Sequence, residues 1–271
     1  MQSKIGMSDE VRKWLEEGEV DIFIGYKPVD GHPLPHVFAR DPLEELKELI
    51  VGPAYPLAKI ATKILVQTPD TKIGMLARAS DLRALNVLLT WKQLSPDRIK
   101  TLEIEGDAPN SGAKDSGAYK KQVGIDNNMG IEEVEVYEQQ ERFSRWMYEF
   151  QKCIKCYGCR DICPVCFCTE CSLEHPNLVA PGPLPIEAPI FHLARAVHMA
   201  GRCVDCGLCE EACPMDIPLR LLYGKVNQIV IDLFGYETGI SPGPSPFNTL
   251  GDEFTAEPSR PGQHNRSTSK E

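Results

Sequence analysis

The reading of this chain turns on KCIKCYGCRDICP at residues 152–164 and on its counterpart, RCVDCGLCEEACP, at residues 202–214. Both follow the pattern C-x2-C-x2-C-x3-C-P. The cysteines are Cys153, Cys156, Cys159 and Cys163 in the first copy and Cys203, Cys206, Cys209 and Cys213 in the second. Two-residue gaps let one tight loop present three thiolates to the corners of a small iron–sulfur cube. The proline after each fourth cysteine biases that cysteine toward extended backbone and redirects the chain. Paired C-x2-C units also hold zinc, so a zinc-binding structural module stands as an alternative. Two complete copies, each with its proline, favour clusters. Structural disulfides fit poorly: all 11 cysteines lie between residues 153 and 213, and the opening MQSKIGMSDEVRKWLEEGEVD is unlike a secretory leader.

The paired motif resembles that of bacterial-type ferredoxins carrying two [4Fe–4S] clusters, in which the fourth cysteine of each run ligates the other cluster. The resemblance implies one cluster on Cys153, Cys156, Cys159 and Cys213, and a second on Cys203, Cys206, Cys209 and Cys163. Three cysteines remain. Cys166, Cys168 and Cys171, with His175 four residues on, could form a third metal site of zinc or iron–sulfur type. They could equally be reduced thiols near the second cluster, or Cys166 could replace Cys163 as a ligand.

Outward from the motifs, residues 142–151 (RFSRWMYEFQ) supply aromatics expected to pack the cluster region onto the rest of the chain. Residues 176–189 carry five prolines and read as an extended loop, followed by a helix over 191–200. His192 and His198 are six residues apart, share no helix face and make no joint metal site. Residues 217–234 read as an amphipathic helix. From Ser241 onward the chain has few apolar residues and is expected to be disordered alone.

Upstream, a short helix is expected over residues 9–18, a strand over 21–26, a turn region over 27–35, a helix over 42–51 begun by Asp41 with Pro42 in its first turn, and another over 57–66. KIGMLA at residues 72–77, a helix from Ser80 or Asp81 to about Leu94, and IKTLEIE at residues 99–105 form a β–α–β unit, which implies parallel strands. The turn after its first strand is where α/β folds bind ligands, but it lacks a glycine-rich phosphate fingerprint and reads as scaffold. Residues 107–128 look like a mobile loop or linker.

The expected fold class is α+β: a small α/β docking domain over residues 1–130, a two-cluster ferredoxin-like domain with flanking helices over 131–237, and a flexible tail over 238–271. A net charge of −10 argues against nucleic acid as a partner. No apolar run is long enough to span a membrane. The cysteine usage fits a reducing, cytoplasmic setting.

KIGMLARASDLRALNVLLTWKQLSPDRIKTLEI (residues 72–104) and the passages KCIKCYGCRDICPVCFCTEC and GRCVDCGLCEEACPMDIPL resemble the beta subunits of deazaflavin-coenzyme-reducing hydrogenases and formate dehydrogenases, and iron–sulfur proteins of heterodisulfide-reductase-like complexes. Ser80 stands where members of that group often carry a cysteine. The resemblance implies an electron-transfer subunit of an anaerobic oxidoreductase, in a hetero-oligomer that links a flavin-containing or heterodisulfide-reductase-like subunit to a dehydrogenase or hydrogenase. Flavin-bearing relatives bind FAD in a larger domain. No flavin motif is legible here, so an FAD-containing coenzyme-reducing subunit is the alternative.

Overall fold

The computed structural model describes residues 4–104, 124–125, 129–178, 188–241 and 243–248. Helix α1 (Lys4–Glu17) precedes a hairpin of β1 (Ile22–Val29) and β2 (His32–Ala39). Helix α2 (Leu57–Gln67), β3 (Ile73–Ala77), α3 (Ala79–Thr90) and β4 (Ile99–Glu103) follow. The four strands form one sheet in the order β2-β1-β3-β4, antiparallel within the hairpin and parallel across β1, β3 and β4. The expected β–α–β unit is therefore present, and β3 is buried along its whole length, as a central parallel strand requires.

The hairpin replaces the turn region expected over residues 27–35. Only Asp30 and Gly31 turn, both at positive φ (50° and 79°). An Asp-Gly pair is a strong signal for a two-residue hairpin turn. The prolines that suggested a loop are accommodated where no ladder bond is lost. Pro33 and Pro35 lie on the edge strand β2, and Pro28 lies beyond Ile24, where β1 stops pairing with β3. Glycines make room at the sheet's centre: a Cβ on Gly25 would stand 2.5 Å from Leu49 Cδ1, and one on Gly74 2.6 Å from Phe23 Cδ2.

Two helix expectations also change. Residues 43–48 form a 3₁₀ helix that Asp41 does not cap. Its buried residue Leu46 and Leu49, just past its end, fall three apart, the period at which a 3₁₀ turn stacks its side chains. Helix α3 ends at Thr90, four residues short of Leu94, because Lys92 turns into the left-handed region at φ 52°. At its start, the Asp81 carboxylate accepts a hydrogen bond from the Arg78 amide at 3.0 Å, which caps the first turn.

The second half of the chain is helical. Helices α4 (Ile131–Glu135) and α5 (Gln139–Gln151) lead to the first cysteine motif, which contains the single turn α6 (Gly158–Asp161). Helix α7 (Ala188–Met199) starts three residues earlier than expected, with Pro189 in its first turn, where a missing N–H costs nothing. The second motif contains the single turn α8 (Leu208–Glu211), and α9 (Leu219–Phe234) closes the layer. Phe150 of α5 stacks on His192 of α7 at 5.0 Å, so this aromatic packs inside the cluster region rather than onto the sheet. No helix among the described residues is long and apolar enough to cross a membrane.

One apolar core runs through the sheet, its helices and the cysteine segment. The link between the halves is specific. Lys59 Nζ on α2 donates to the carbonyls of Arg160 and Asp161, capping the last turn of α6. Trp91, at the end of α3, meets the Phe167 ring at 6.1 Å, and the Arg202 guanidinium lies over both rings, 3.9 Å from Trp91 and 4.8 Å from Phe167. The chain also returns after α9. Asn86 donates to the Gly239 carbonyl, Asn248 donates to the Thr90 carbonyl, and Ser245 is buried. Residues 243–248 thus belong to the fold, contrary to the expectation of a disordered segment from Ser241. They find in α3 and Gly201 the packing that their own composition lacks. The expected linker over 107–128, apart from 124–125, and the expected tail from 249 onward lie outside the described residues.

Candidate metal centres

Each cysteine loop is shaped by left-handed residues at matching places. Lys155 and Tyr157 flank Cys156, and Asp205 and Gly207 flank Cys206, all at φ between 50° and 77°. Two such residues around the middle cysteine curl the backbone so that three sulfurs face one side. Glycine takes this conformation freely at 207, whereas a side chain at 157 costs about 1–2 kcal/mol. Tyr157 is anchored there by its hydroxyl, which donates to the Leu173 carbonyl at 3.3 Å, by an edge contact with Phe191, and by the Arg160 guanidinium over its ring at 4.7 Å.

The loops line two pockets. Cys153, Cys156, Cys159 and Cys213 share the first with Phe191, His192 and Ile217. Cys163, Cys203, Cys206 and Cys209 share the second with Arg195, Met199 and Tyr223. Each pocket therefore takes three cysteines from one motif and the fourth from the other. The turns α6 and α8 pack side by side and carry Cys159 and Cys209, while Cys163 and Cys213 follow at their ends, which makes the exchange short.

The surroundings suit metal-bound thiolates and not free ones. Burial pushes the Cys159 thiol up to about 11 and the Cys203 thiol up to about 12, although Cys203 keeps some exposed surface. Burial also raises Cys153, Cys163, Cys206 and Cys209. Partial compensation comes from the backbone: the Lys155 amide donates to Cys153 Sγ at 3.3 Å, and the amides of Asp205, Leu208 and Val165 favour the thiolates of Cys203, Cys206 and Cys163. Deprotonating four such thiols in one apolar pocket needs the positive charge of bound metal. Among the described residues, no three His, Cys, Asp or Glu side chains converge on a single metal ion. Four thiolates around one pocket are the ligand set that a four-iron cluster takes, one to each iron.

The surplus cysteines do not gather. Cys166 Sγ lies 3.8 Å from Arg195 Nη1, exposed Cys168 lies 4.0 Å from Arg202 Nη1, and Cys171 faces Arg160. His175 Nδ1 accepts from the Asn177 amide. Each sulfur stands by a different arginine, and His175 pairs locally, which is the arrangement expected of reduced thiols beside the second motif. The basic residues near the motifs are also engaged: Arg160 pairs with Asp161 and Glu174, Arg202 covers Trp91, and Lys152 pairs with Glu149.

Two buried polar side chains stand where the sequence reading did not place them. His192 and Arg195 lie on α7, three residues apart, and are 1% and 2% exposed. Burial, reinforced by Arg195, pulls His192 down to about 4, so the imidazole is neutral. The only sequence signal was their position on the apolar side of FHLARAVHM.

Comparison with known proteins points to iron–sulfur chemistry at the second motif. Residues 196–218 match the family described as 4Fe-4S binding domain. The chain is 45% identical over 96 residues to the F420-dependent formate dehydrogenase subunit beta of Methanocaldococcus jannaschii, covering 35% of this chain and 25% of that protein. It is 35% identical over 149 residues to the F420-dependent formate dehydrogenase 1 subunit beta of Methanococcus maripaludis, covering 55% of this chain and 38% of that one. The match thus spans well under half the length of either relative. The chain carries a segment matching a 4Fe-4S binding domain and is similar in sequence to part of such beta subunits.

Proposed function

We propose that this protein is the electron-transfer subunit of a formate-dehydrogenase-type oxidoreductase and carries two [4Fe–4S] clusters, on Cys153, Cys156, Cys159 and Cys213 and on Cys203, Cys206, Cys209 and Cys163. The observation that carries this reading is the pair of adjacent four-cysteine pockets, each completed by the other motif's last cysteine. When bound, such clusters each supply reversible one-electron chemistry. The chain's own residues hold the thiolates, exclude water with Phe191, Met199, Ile217 and Tyr223, and leave Cys156 exposed at one edge of the first pocket. That edge is the natural place for exchange with another redox protein.

The resemblance to formate dehydrogenase beta subunits supports a hetero-oligomer, with a dehydrogenase partner on one side and a flavin-containing or heterodisulfide-reductase-like subunit on the other. The α/β region, residues 1–130, carries no recognisable phosphate loop and is proposed as the docking module. Anaerobic purification tests the reading. Iron and sulfide in equal amounts, a broad visible absorption without released flavin, and co-elution with a larger redox subunit are expected. A colourless, zinc-containing protein would overturn it.

A further inference from the structure

Resting on the two-cluster reading, the strongest unexplained feature is the polar pair on α7. His192 is wedged between Phe150, stacked at 5.0 Å, and Phe191, edge-on at 5.2 Å. Both its ring nitrogens are buried without a hydrogen-bond partner. A neutral imidazole has one N–H to donate, and leaving it unsatisfied in a buried site is unfavourable. The pocket that His192 lines offers four cysteine sulfurs and otherwise mainly apolar side chains.

Arg195 lines the second pocket. Its Nη2 donates to the Cys159 carbonyl at 2.9 Å, its Nη1 lies 3.8 Å from Cys166 Sγ, and its Nε has no partner. The Tyr223 ring lies 5.8 Å from the guanidinium. A guanidinium cannot lose its charge, so it is held by nearby negative charge or is very costly. No carboxylate pairs with it among the described residues, and the negative groups available are cysteine sulfurs.

We propose that α7 sets the reduction potentials of the two centres: His192 donates an N–H hydrogen bond to a sulfur in the first pocket, and Arg195 places a fixed positive charge beside the second while bracing the Cys159 loop of the first. Reduction adds an electron to a centre that is already negative when its four thiolates are counted. A donated hydrogen bond or an adjacent cation stabilises the reduced form and raises the potential. His192 acts on the first centre alone. Arg195 acts on both, and more strongly on the second, whose pocket it lines.

Redox-poised paramagnetic resonance on the anaerobically loaded full chain tests this, with signals assigned through the Cys213→Ala and Cys163→Ala variants. His192→Phe keeps the ring stack and removes the donor, and should shift only the first centre to lower potential. His192→Gln keeps a donor and should largely restore it. Arg195→Gln should lower both potentials, the second more, and Arg195→Lys should restore most of the loss. The unmutated chain, labelled with ¹⁵N-histidine, should show a nitrogen hyperfine coupling at the first centre, which decides the point even where a variant loads poorly. Full iron content with no such coupling and unmoved potentials overturns this inference alone. Absence of iron–sulfur clusters from the unmutated chain overturns the reading beneath it.

Discussion

At the scale of single residues, the exchange of fourth cysteines makes the sharpest prediction. Cys213 lies ten residues beyond Cys203 in sequence but in the pocket of Cys153, Cys156 and Cys159. Cys213→Ala should therefore damage the first centre and spare the second, and Cys163→Ala should do the reverse. Paramagnetic resonance showing each variant disturbing its sequence neighbour would refute the assignment. Backbone handedness is equally local. Gly207 and Tyr157 occupy matching left-handed positions, so Gly207→Ala should destabilise the folded chain by about 1 kcal/mol, read as a fall in Tm of a few degrees. At 157 the same conformation is held by the tyrosine's contacts with Leu173, Phe191 and Arg160. Tyr157→Phe removes only the hydroxyl bond and should cost about 0.5–1.5 kcal/mol.

At the scale of elements, α3 couples the sheet to the cysteine segment, and its start is a buried polar site. Asp81 caps the helix from an environment whose burial raises its carboxyl above the ordinary aspartate value of 3.8, partly offset by Arg78. The folded state then holds that proton more tightly than the unfolded chain does. By linkage, Asp81's favourable contribution is full below pH 3.8 and is lost as pH rises through its elevated folded value. Asn at this position keeps an oxygen for the Arg78 amide but cannot ionise. Asp81→Asn should flatten the stability profile on the acidic side and be neutral or mildly stabilising at pH 7. Thermal melts between pH 4 and 7 provide the check, and a loss at neutral pH would show that the carboxylate charge itself holds the helix. At the other end of α3, Trp91, Phe167 and Arg202 form the bridge to the second motif. Arg202→Ala should cost about 1–2 kcal/mol through lost cation–π contact.

At the scale of the whole molecule, the returning segment 243–248 divides the C-terminal region into two parts with different expected behaviour. Gly201, two residues before Cys203, sits at φ 64°, and a Cβ there would stand 2.5 Å from Ser245 Oγ and 2.7 Å from Phe247. Phe247 also packs edge-on against Phe234 of α9 at 5.5 Å. Deleting residues 249–271 should leave iron content and Tm unchanged, because no cysteine lies there. Deleting from Gly239 should strip this cover from α3, α9 and the approach to Cys203, lowering Tm and increasing iron loss under mild chelation. Equal behaviour of the two truncations would show that the returning segment contributes nothing.

The amino-acid sequence by itself carries the proposed chemistry: the repeated C-x2-C-x2-C-x3-C-P run singles out eight cysteines, because thiolate spacing is local. It also determined β3, α3 and β4, where apolar runs and an acidic cap agree. The hairpin was legible only in part. Residues 27–35 read as a turn region as a whole, and only the sheet order showed that their prolines sit where no ladder N–H is needed and that Asp30 and Gly31 alone turn. Tertiary structure alone decided the rest. It separated Cys166, Cys168 and Cys171 onto different arginines, buried His192 and Arg195 against the two pockets, and folded residues 243–248 onto α3. Each of those outcomes depends on contacts between residues far apart in the chain, whose free energy comes from shared burial and leaves no period or spacing to read.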